Sequence, residues 1–320
     1  MSQSPSVADA SVERPRGPRF ALLVPTCDPG PAWAGFLQAL AGQTLQPERV
    51  VFLDSESTDG SQALSQSAGH RVWPVRRRDF NHGGTRQLGI DLFARDMEVV
   101  VFMTQDAVLA SPDALERLLQ GFDAPEVAAV WGRQLPGPQA TPIAAHARLF
   151  NYPDRSRTAW LDDRAKLGLK TCFLSNSFAA YRVPLLLATG GFSSTLILGE
   201  DMHLAARLLQ AGYAIRYQAD SCVYHFHNYL WSQDLTRSFD TGVFHASQPW
   251  LLELFGAATG EGRRFVQSEL RHLWRHAPGR MVDALVRTAL KLAGYHLGRR
   301  FRRLPAVVRR RLSMHKGYWA

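Results

Sequence analysis

Four clusters of polar side chains have the types and spacing that chemistry needs. Val99 to Val108, VVVFMTQDAV, is an apolar run that breaks on Thr104, Gln105 and Asp106, so a carboxylate arrives where the run stops. A hard divalent cation and a diphosphate take one or two carboxylates, with water and phosphate oxygens in the remaining positions. Capping of a helix that begins near Ser111 and Pro112 is the structural alternative for Asp106. Glu200 and Asp201 follow Gly199 and open a segment with Leu204, Leu208 and Leu209 on one side. Acids in a first helical turn are favoured by the helix dipole, so this pair suits a structural role as well as proton transfer. His225 and His227 stand two residues apart, which on a strand aims both imidazoles at one ion or one diphosphate. In Asp79 to Leu88, DFNHGGTRQL, His82 and two glycines precede Arg86. Glycine lets a backbone approach a ligand closely, and a cation in a first helical turn calls for an anion nearby. His82, Gly83 and Arg86 are therefore candidates for contact with a diphosphate or a sugar.

These clusters must be positioned by regular elements. Phe20 to Val24, Val50 to Leu53, Arg71 to Val75, Val99 to Met103 and Val127 to Trp131 read as five short strands. The fourth is β-branched and apolar enough for a sheet covered on both faces. Ala32 to Ala41 carries Trp33, Phe36, Leu37 and Leu40 at helical spacing. Strand, polar loop, helix, strand is the rhythm of an α/β fold: a Rossmann-like, mostly parallel central sheet flanked by helices. Ligands of such sheets gather at the carboxyl ends of the strands. The loops that begin at Pro25, Asp54 and Thr104 would thus build one composite nucleotide site, with Asp28 and Asp59 acting as caps. Thr85 predicts a helix cap, with Leu88 and Leu92 on the inner face of that helix. Ile215 to Tyr217 and Cys222 to Phe226 read as an edge of the sheet that carries the two histidines. No GxGxxG follows a strand and no GxxxxGK[ST] occurs, which argues against a dinucleotide oxidoreductase and a phosphate-loop NTPase.

VPTCDPG, VVFLDSESTDGS, FNHGGTRQLG and FMTQDA, in this order and spacing, resemble the inverting nucleotide-sugar glycosyltransferases of family 2, which have the GT-A fold. FNHGGTR is similar to the bacterial rhamnosyltransferase branch, whose donor is dTDP-L-rhamnose. The resemblance implies a nucleotide-sugar pocket lined by Pro25, Thr26, Asp54, Ser55, Ser57, Gln105 and Asp106, with Arg86 approaching the donor. It makes Asp106 the surviving acid of a DXD metal motif, Thr104 standing where the first acid would be, so metal dependence is left open. The cofactor implied is Mg²⁺ or Mn²⁺, held by Asp106 with His225 or His227. The same resemblance makes Asp201 the base that takes the acceptor proton, Glu200 a supporting carboxylate, and Thr171 to Arg182, TCFLSNSFAAYR, the border of the acceptor pocket. Trp231, Phe239, Phe244, Trp250 and Phe255 are read as mostly core, with one or two free to stack on a sugar.

Bulk properties set the limits. The 320 residues are 46% hydrophobic and 20% charged, ordinary for a chain that buries a full core. No run approaches the ~18 consecutive apolar residues of a transmembrane helix. Residues 1–18 read as a flexible cytosolic leader without a signal-peptide core. Cys27, Cys172 and Cys222 form no CxxC pair, which fits a reducing compartment. The net charge of +9 is concentrated between Arg263 and Lys316, where fifteen Lys or Arg face two acids. Residues 19–240 therefore form the expected GT-A domain and residues 241–320 a helical, basic, membrane-associating region. There Val282, Leu285, Val286 and Leu290, with Arg287 and Lys291 between them, suit a helix lying on an anionic bilayer. No nucleic-acid-binding fold accompanies the basic tail.

The expectation is a cytoplasmic enzyme, peripheral on the inner membrane. It would transfer L-rhamnose from dTDP-L-rhamnose to a hydroxyl of a lipid-linked glycan, with inversion, in bacterial surface polysaccharide biosynthesis. The competing readings are the same fold with a UDP-hexose donor, a metal-dependent hydrolase, and a non-catalytic basic adaptor.

Overall fold

The computed structural model describes residues 17–256 and 260–319; most of the expected leader lies outside them. In chain order the first half contains β1 (Phe20–Thr26), α1 (Trp33–Ala41), β2 (Arg49–Asp54), α2 (Ser61–Ser67), β3 (Arg71–Pro74), α3 (His82–Phe93), β4 (Val99–Met103), β5 (Val108–Leu109), α4 (Ala114–Gln120) and β6 (Val127–Leu135). Then follow α5 (Pro142–Asn151), β7 (Arg157–Ala159), α6 (Arg164–Leu167), β8 (Phe178–Arg182), α7 (Val183–Ala188), α8 (Glu200–Gln210) and β9 (Ala214–Tyr224). The chain ends in helices: α9 (Trp231–Ser247), α10 (Pro249–Phe255), α11 (Glu261–His276), α12 (Met281–Arg299) and α13 (Ala306–Leu312).

The strands make one sheet in the order β3-β2-β1-β4-β8-β6-β9-β5, with β7 also on β9. β1 runs parallel to β2 and β4, β2 to β3, and β6 to β9. β8 is antiparallel to both its neighbours, pairing Met103 with Phe178 and Trp131 with Ala179. The mostly parallel sheet expected from the sequence is thus present, and β8 brings its amino end to the edge where the other strands finish. Alternation along β1 divides the core between two faces. Leu22 and Val24 pack with Trp33, Phe36 and Leu115 of α1 and α4, whereas Leu23 packs with Ile90 of α3 and Leu204 of α8.

Several local expectations are corrected. α3 begins before Thr85, because Asn81 caps it: its Oδ1 accepts from the Gly84 N–H at 2.8 Å, and the Thr85 hydroxyl returns to the Asn81 N–H. Its inner face is Gly89, Ile90 and Phe93, while Leu88 and Leu92 are exposed. Asp106 caps no helix, since α4 starts at Ala114 with Asp113 before it. β9 is one continuous strand paired on both sides, and His225 and His227 lie in the loop beyond its end. Of the five aromatics after this loop, Phe239, Phe244 and Phe255 are core and Trp231 is exposed.

In the C-terminal helices, two of the expected bilayer-facing cations are engaged within the protein. α9 runs unbroken across position 240 and packs along α12, with Ala284, Gly294 and Gly298 of α12 buried. Arg287 and Lys291 turn inward to Asp234, at 2.6 and 3.6 Å, rather than out to solvent. Val282, Leu285 and Leu292 are the exposed residues instead. Among the described residues no helix is long and apolar enough to cross a membrane.

Candidate active site

A cleft of about 570 Å³ opens at the carboxyl edge of the sheet, and both Asp106 and Asp201 line it. On one wall Asp106 follows β4, with its Oδ1 at 3.3 Å from His225 Nε2 and its Oδ2 at 3.7 Å from His227 Nε2. The two rings pack edge to face with centroids 4.7 Å apart. Gln134, near the end of β6, fixes the orientation of His225: Nδ1 lies 2.8 Å from Gln134 Oε1, so the Nδ1–H donates there and Nε2 faces Asp106. Arg148 of α5 donates to the same Gln134 oxygen, and the Gln134 amide donates to Ser175 Oγ at 3.0 Å.

This donor set fits a divalent cation. One ligand atom from each of Asp106, His225 and His227 can be chosen so that all lie within 4.8 Å of one another. Burial lowers the His227 pKa to about 4, which keeps its imidazole neutral and able to ligate at neutral pH. Partial burial opposes ionisation of Asp106, but the His225 and His227 rings outweigh it and hold the carboxyl well below the usual range. Gln134 supplies the supporting hydrogen bond that orients a ligating imidazole.

The opposite wall is the start of α8. Gly199 turns the chain with φ +75°, a left-handed conformation that glycine adopts without strain, and its missing Cβ leaves room for the Phe244 ring. Glu200 then points inward, buried in an ion pair with Arg86 at 3.0 Å, and accepts from Asn176 Nδ2 at 3.0 Å. Burial works against its charge, but the Arg86 guanidinium and His82 prevail and keep its pKa low. Asp201 faces the cleft with fewer partners, the Asn176 N–H at 3.2 Å and the neighbouring Met202 N–H at 2.8 Å. Burial, and then the Glu200 charge, raise its pKa to about 7. A carboxyl poised there exchanges protons readily at neutral pH, as a general base must.

The expected site residues separate into two groups. His82, Arg86, Asp106, Glu200, Asp201, His225 and His227 all line the cleft. Asp54 does not: it is buried two strands away, accepting from Thr26 Oγ1, the Ser57 N–H and hydroxyl, and Gln62 Nε2 at 2.6–2.9 Å. Its acceptor positions are filled, so it organises the loop after β2 rather than joining Asp106 and Asp201 in one cleft. Ser55 is buried beside it, and its N–H bonds Thr26 O at the end of β1, next to Pro25. Gln105 is likewise engaged, clasping the Cys27 N–H and carbonyl at 2.7 and 3.0 Å. Asp28 and Asp59 hold the same two loops, accepting from the backbone N–H groups of Thr58 and Gly30. Gly83 makes its close approach to protein, since a Cβ there would lie 1.9 Å from Ser193 O. Arg86 finds its anion in Glu200 rather than in a free ligand.

Among the lining residues that sequence reasoning did not single out are Gln134, Arg148, Arg237 and His315. Gln134 had a usable signal, a polar residue at the carboxyl end of an apolar strand. Asn176 lay within a segment marked as bordering the pocket. His315 had none, because the chain returns from its far end. The Met314 and His315 N–H groups donate to Asp240 of α9, and the His315 ring meets His82 edge-on at 4.9 Å.

The cleft thus joins, on a Rossmann-like sheet, a cation-capable Asp–His group beyond β4 and an under-partnered carboxyl at the start of α8, the arrangement expected of a GT-A fold. Residues 22–188 match the family described as glycosyl transferase family 2. The chain is 44% identical over 302 residues to the O-antigen chain rhamnosyltransferase RfbN of Salmonella typhimurium strain LT2, covering 94% of this chain and 96% of that protein. It is 45% identical over 303 residues to the O-antigen chain rhamnosyltransferase WbaN of Salmonella anatum, with the same coverage. In fold it resembles the mannosyltransferase PcManGT of Pyrobaculum calidifontis, solved with GDP-Man and Mn²⁺. The TM-score is 0.57 at 18% identity, covering 95% of this chain and 85% of that one. It also resembles S. aureus TarS 1-349 in complex with UDP-GlcNAc, with TM-score 0.53 at 14% identity, covering 89% and 91%. The chain therefore belongs to glycosyl transferase family 2, and it is a glycosyltransferase.

Proposed function

We propose that this enzyme transfers L-rhamnose from dTDP-L-rhamnose to a hydroxyl of a lipid-linked glycan, with inversion, during O-antigen synthesis. The observation that carries the rhamnose reading is the 44% identity, over 94% of the chain, to a protein named for rhamnose transfer to the O-antigen chain. The fold alone is shared with proteins solved with GDP-Man and UDP-GlcNAc and does not select the sugar.

Asp201 accepts the proton of the acceptor hydroxyl as that oxygen bonds to the anomeric carbon and the bond from this carbon to the diphosphate oxygen breaks. Attack from the side opposite the leaving group inverts the anomeric centre. Asn176 and Glu200 hold Asp201 in position, and Arg86 keeps Glu200 ionised so that the raised proton affinity falls on Asp201 alone. A divalent cation held by Asp106, His225 and His227 would supply positive charge against the departing diphosphate. The two imidazoles favour Mn²⁺ over Mg²⁺. Thr26, Asp54, Ser55, Ser57 and Gln105 shape the loops that receive the nucleoside. The basic C-terminal helices keep the enzyme on the cytoplasmic face of the membrane.

The test is turnover of dTDP-L-rhamnose against UDP-glucose on a lipid-linked glycan acceptor, with and without EDTA. The reading expects product from dTDP-L-rhamnose only, lost with EDTA and restored by Mn²⁺. Transfer from UDP-glucose, or release of free sugar at the full rate without acceptor, contradicts it.

A further inference from the structure

His315 reaches the catalytic cleft from the far end of the chain, and the anchoring that holds it there needs no histidine. Asp240 of α9 is fully buried, and its hydrogen bonds among the described residues all go to this segment: Oδ2 accepts from the Met314 N–H at 2.8 Å and from the His315 N–H at 3.3 Å. The buried Ser313 hydroxyl also accepts from the His315 N–H, at 3.0 Å. Trp319 packs over Phe239 and Phe301, with ring centroids 6.4 and 5.7 Å away. Chain ends fray unless tied down, and a buried carboxylate is costly unless its oxygens are bonded. Backbone groups, a serine and a tryptophan answer both requirements here, so the His315 side chain is left over.

That ring lines the same cleft of about 570 Å³ as Asp201 and meets the His82 ring edge-on at 4.9 Å. The hydrogen bonds of both residues among the described residues run through their backbones, and neither ring has a partner in the protein. Burial lowers both pKa values, that of His315 to about 4, so each imidazole is neutral at neutral pH and carries one N–H donor and one lone pair. A phosphate calls for cations, whereas a sugar hydroxyl, which donates and accepts at once, suits such a pair of rings. Both rings feel the Glu200 charge and so stand on the α8 side of the cleft. Asp106, His225 and His227, the group able to hold a cation against a diphosphate, form the other wall.

We propose that His315 is a substrate-binding residue: its imidazole, beside that of His82, takes a hydroxyl of one of the two sugars that meet at Asp201. The segment after α13 thereby completes the cleft. This inference rests on the glycosyltransferase reading and assigns to the site a residue that the reading does not use.

The experiment is steady-state kinetics of the full chain with dTDP-L-rhamnose and a lipid-linked glycan acceptor, each varied in turn, for the parent, His315→Phe and His315→Asn. Phenylalanine keeps a ring against His82 and removes both nitrogens. It should raise KM for one substrate about 3–10-fold, the loss of one hydrogen bond, with kcat close to that of the parent. His315→Asn, which restores a donor and an acceptor, should recover part of that rise. A rise in the donor KM assigns the hydroxyl to rhamnose and a rise in the acceptor KM assigns it to the glycan; either supports the inference. Both KM values within about twofold of the parent in His315→Phe, or a lower kcat with both KM values unchanged, overturn it and leave the transferase reading intact. If thermal unfolding shows His315→Phe to be unfolded, His315→Leu is held to the same limits. A parent that transfers no rhamnose sinks the transferase reading, and this inference with it.

Discussion

Asp54 and Asp201 both sit where an element of the sheet edge begins or ends, and their surroundings are opposite. Asp54 receives four hydrogen bonds from Thr26, Ser57 and Gln62. Asp201 receives two backbone N–H groups, next to a second carboxylate. The saturated acid is spent on holding a loop. The under-supplied one retains proton affinity and faces open space. Legibility of an acid in the sequence says nothing about which of these it will be, because the difference lies in donors brought from elsewhere in the chain.

The largest expected effect is on Asp201. Asp201→Asn should lower kcat by about 10²–10⁴, the range for a lost general base, with little change in donor KM. Because folding raises this pKa, ionisation penalises the folded state as pH rises from the ordinary carboxylate range to about 7. Asp201→Asn should accordingly melt higher than the parent at pH 8 and no higher near pH 4, which thermal unfolding at the two values checks.

Glu200→Gln breaks the buried pair with Arg86 and leaves an uncompensated guanidinium, at a cost of about 3–5 kcal/mol in urea unfolding. A loss below about 1 kcal/mol there would mean that the pair is solvated. Gln134→Leu frees His225 Nδ1 and should weaken Mn²⁺ binding by about 10–100-fold in calorimetry without altering the fold. Asp54→Asn should have the smallest effect, about 1–3 kcal/mol of stability from the loss of charged hydrogen bonds. A fall in kcat as large as that of Asp201→Asn would erase the contrast between the two acids.

Much of the frame was legible. Short apolar runs located β1 to β4 and β6, and the polar residues at their ends marked the edge where the cleft lies. Acids after Gly199 and the His225–His227 pair were found by type and spacing. What escaped was decided by tertiary contact. Arg86 looked like a ligand-binding cation because Glu200, its partner, lies 114 residues away. Gly83 looked like a ligand cradle because nothing local announces Ser193. Arg287 and Lys291 suggested a bilayer face, yet Asp234 on α9 draws both inward. His315 enters the cleft only because the chain folds back over α9, a placement without local signature.

The most direct test of Asp201 as the proton acceptor is the pH dependence of kcat/KM under single-turnover conditions for the parent and Asp201→Asn. The parent should rise through a limb near pH 7, as Asp201 loses its proton, and the residual activity of Asp201→Asn should lack that limb. A variant that keeps both the rate and the limb of the parent would contradict the assignment.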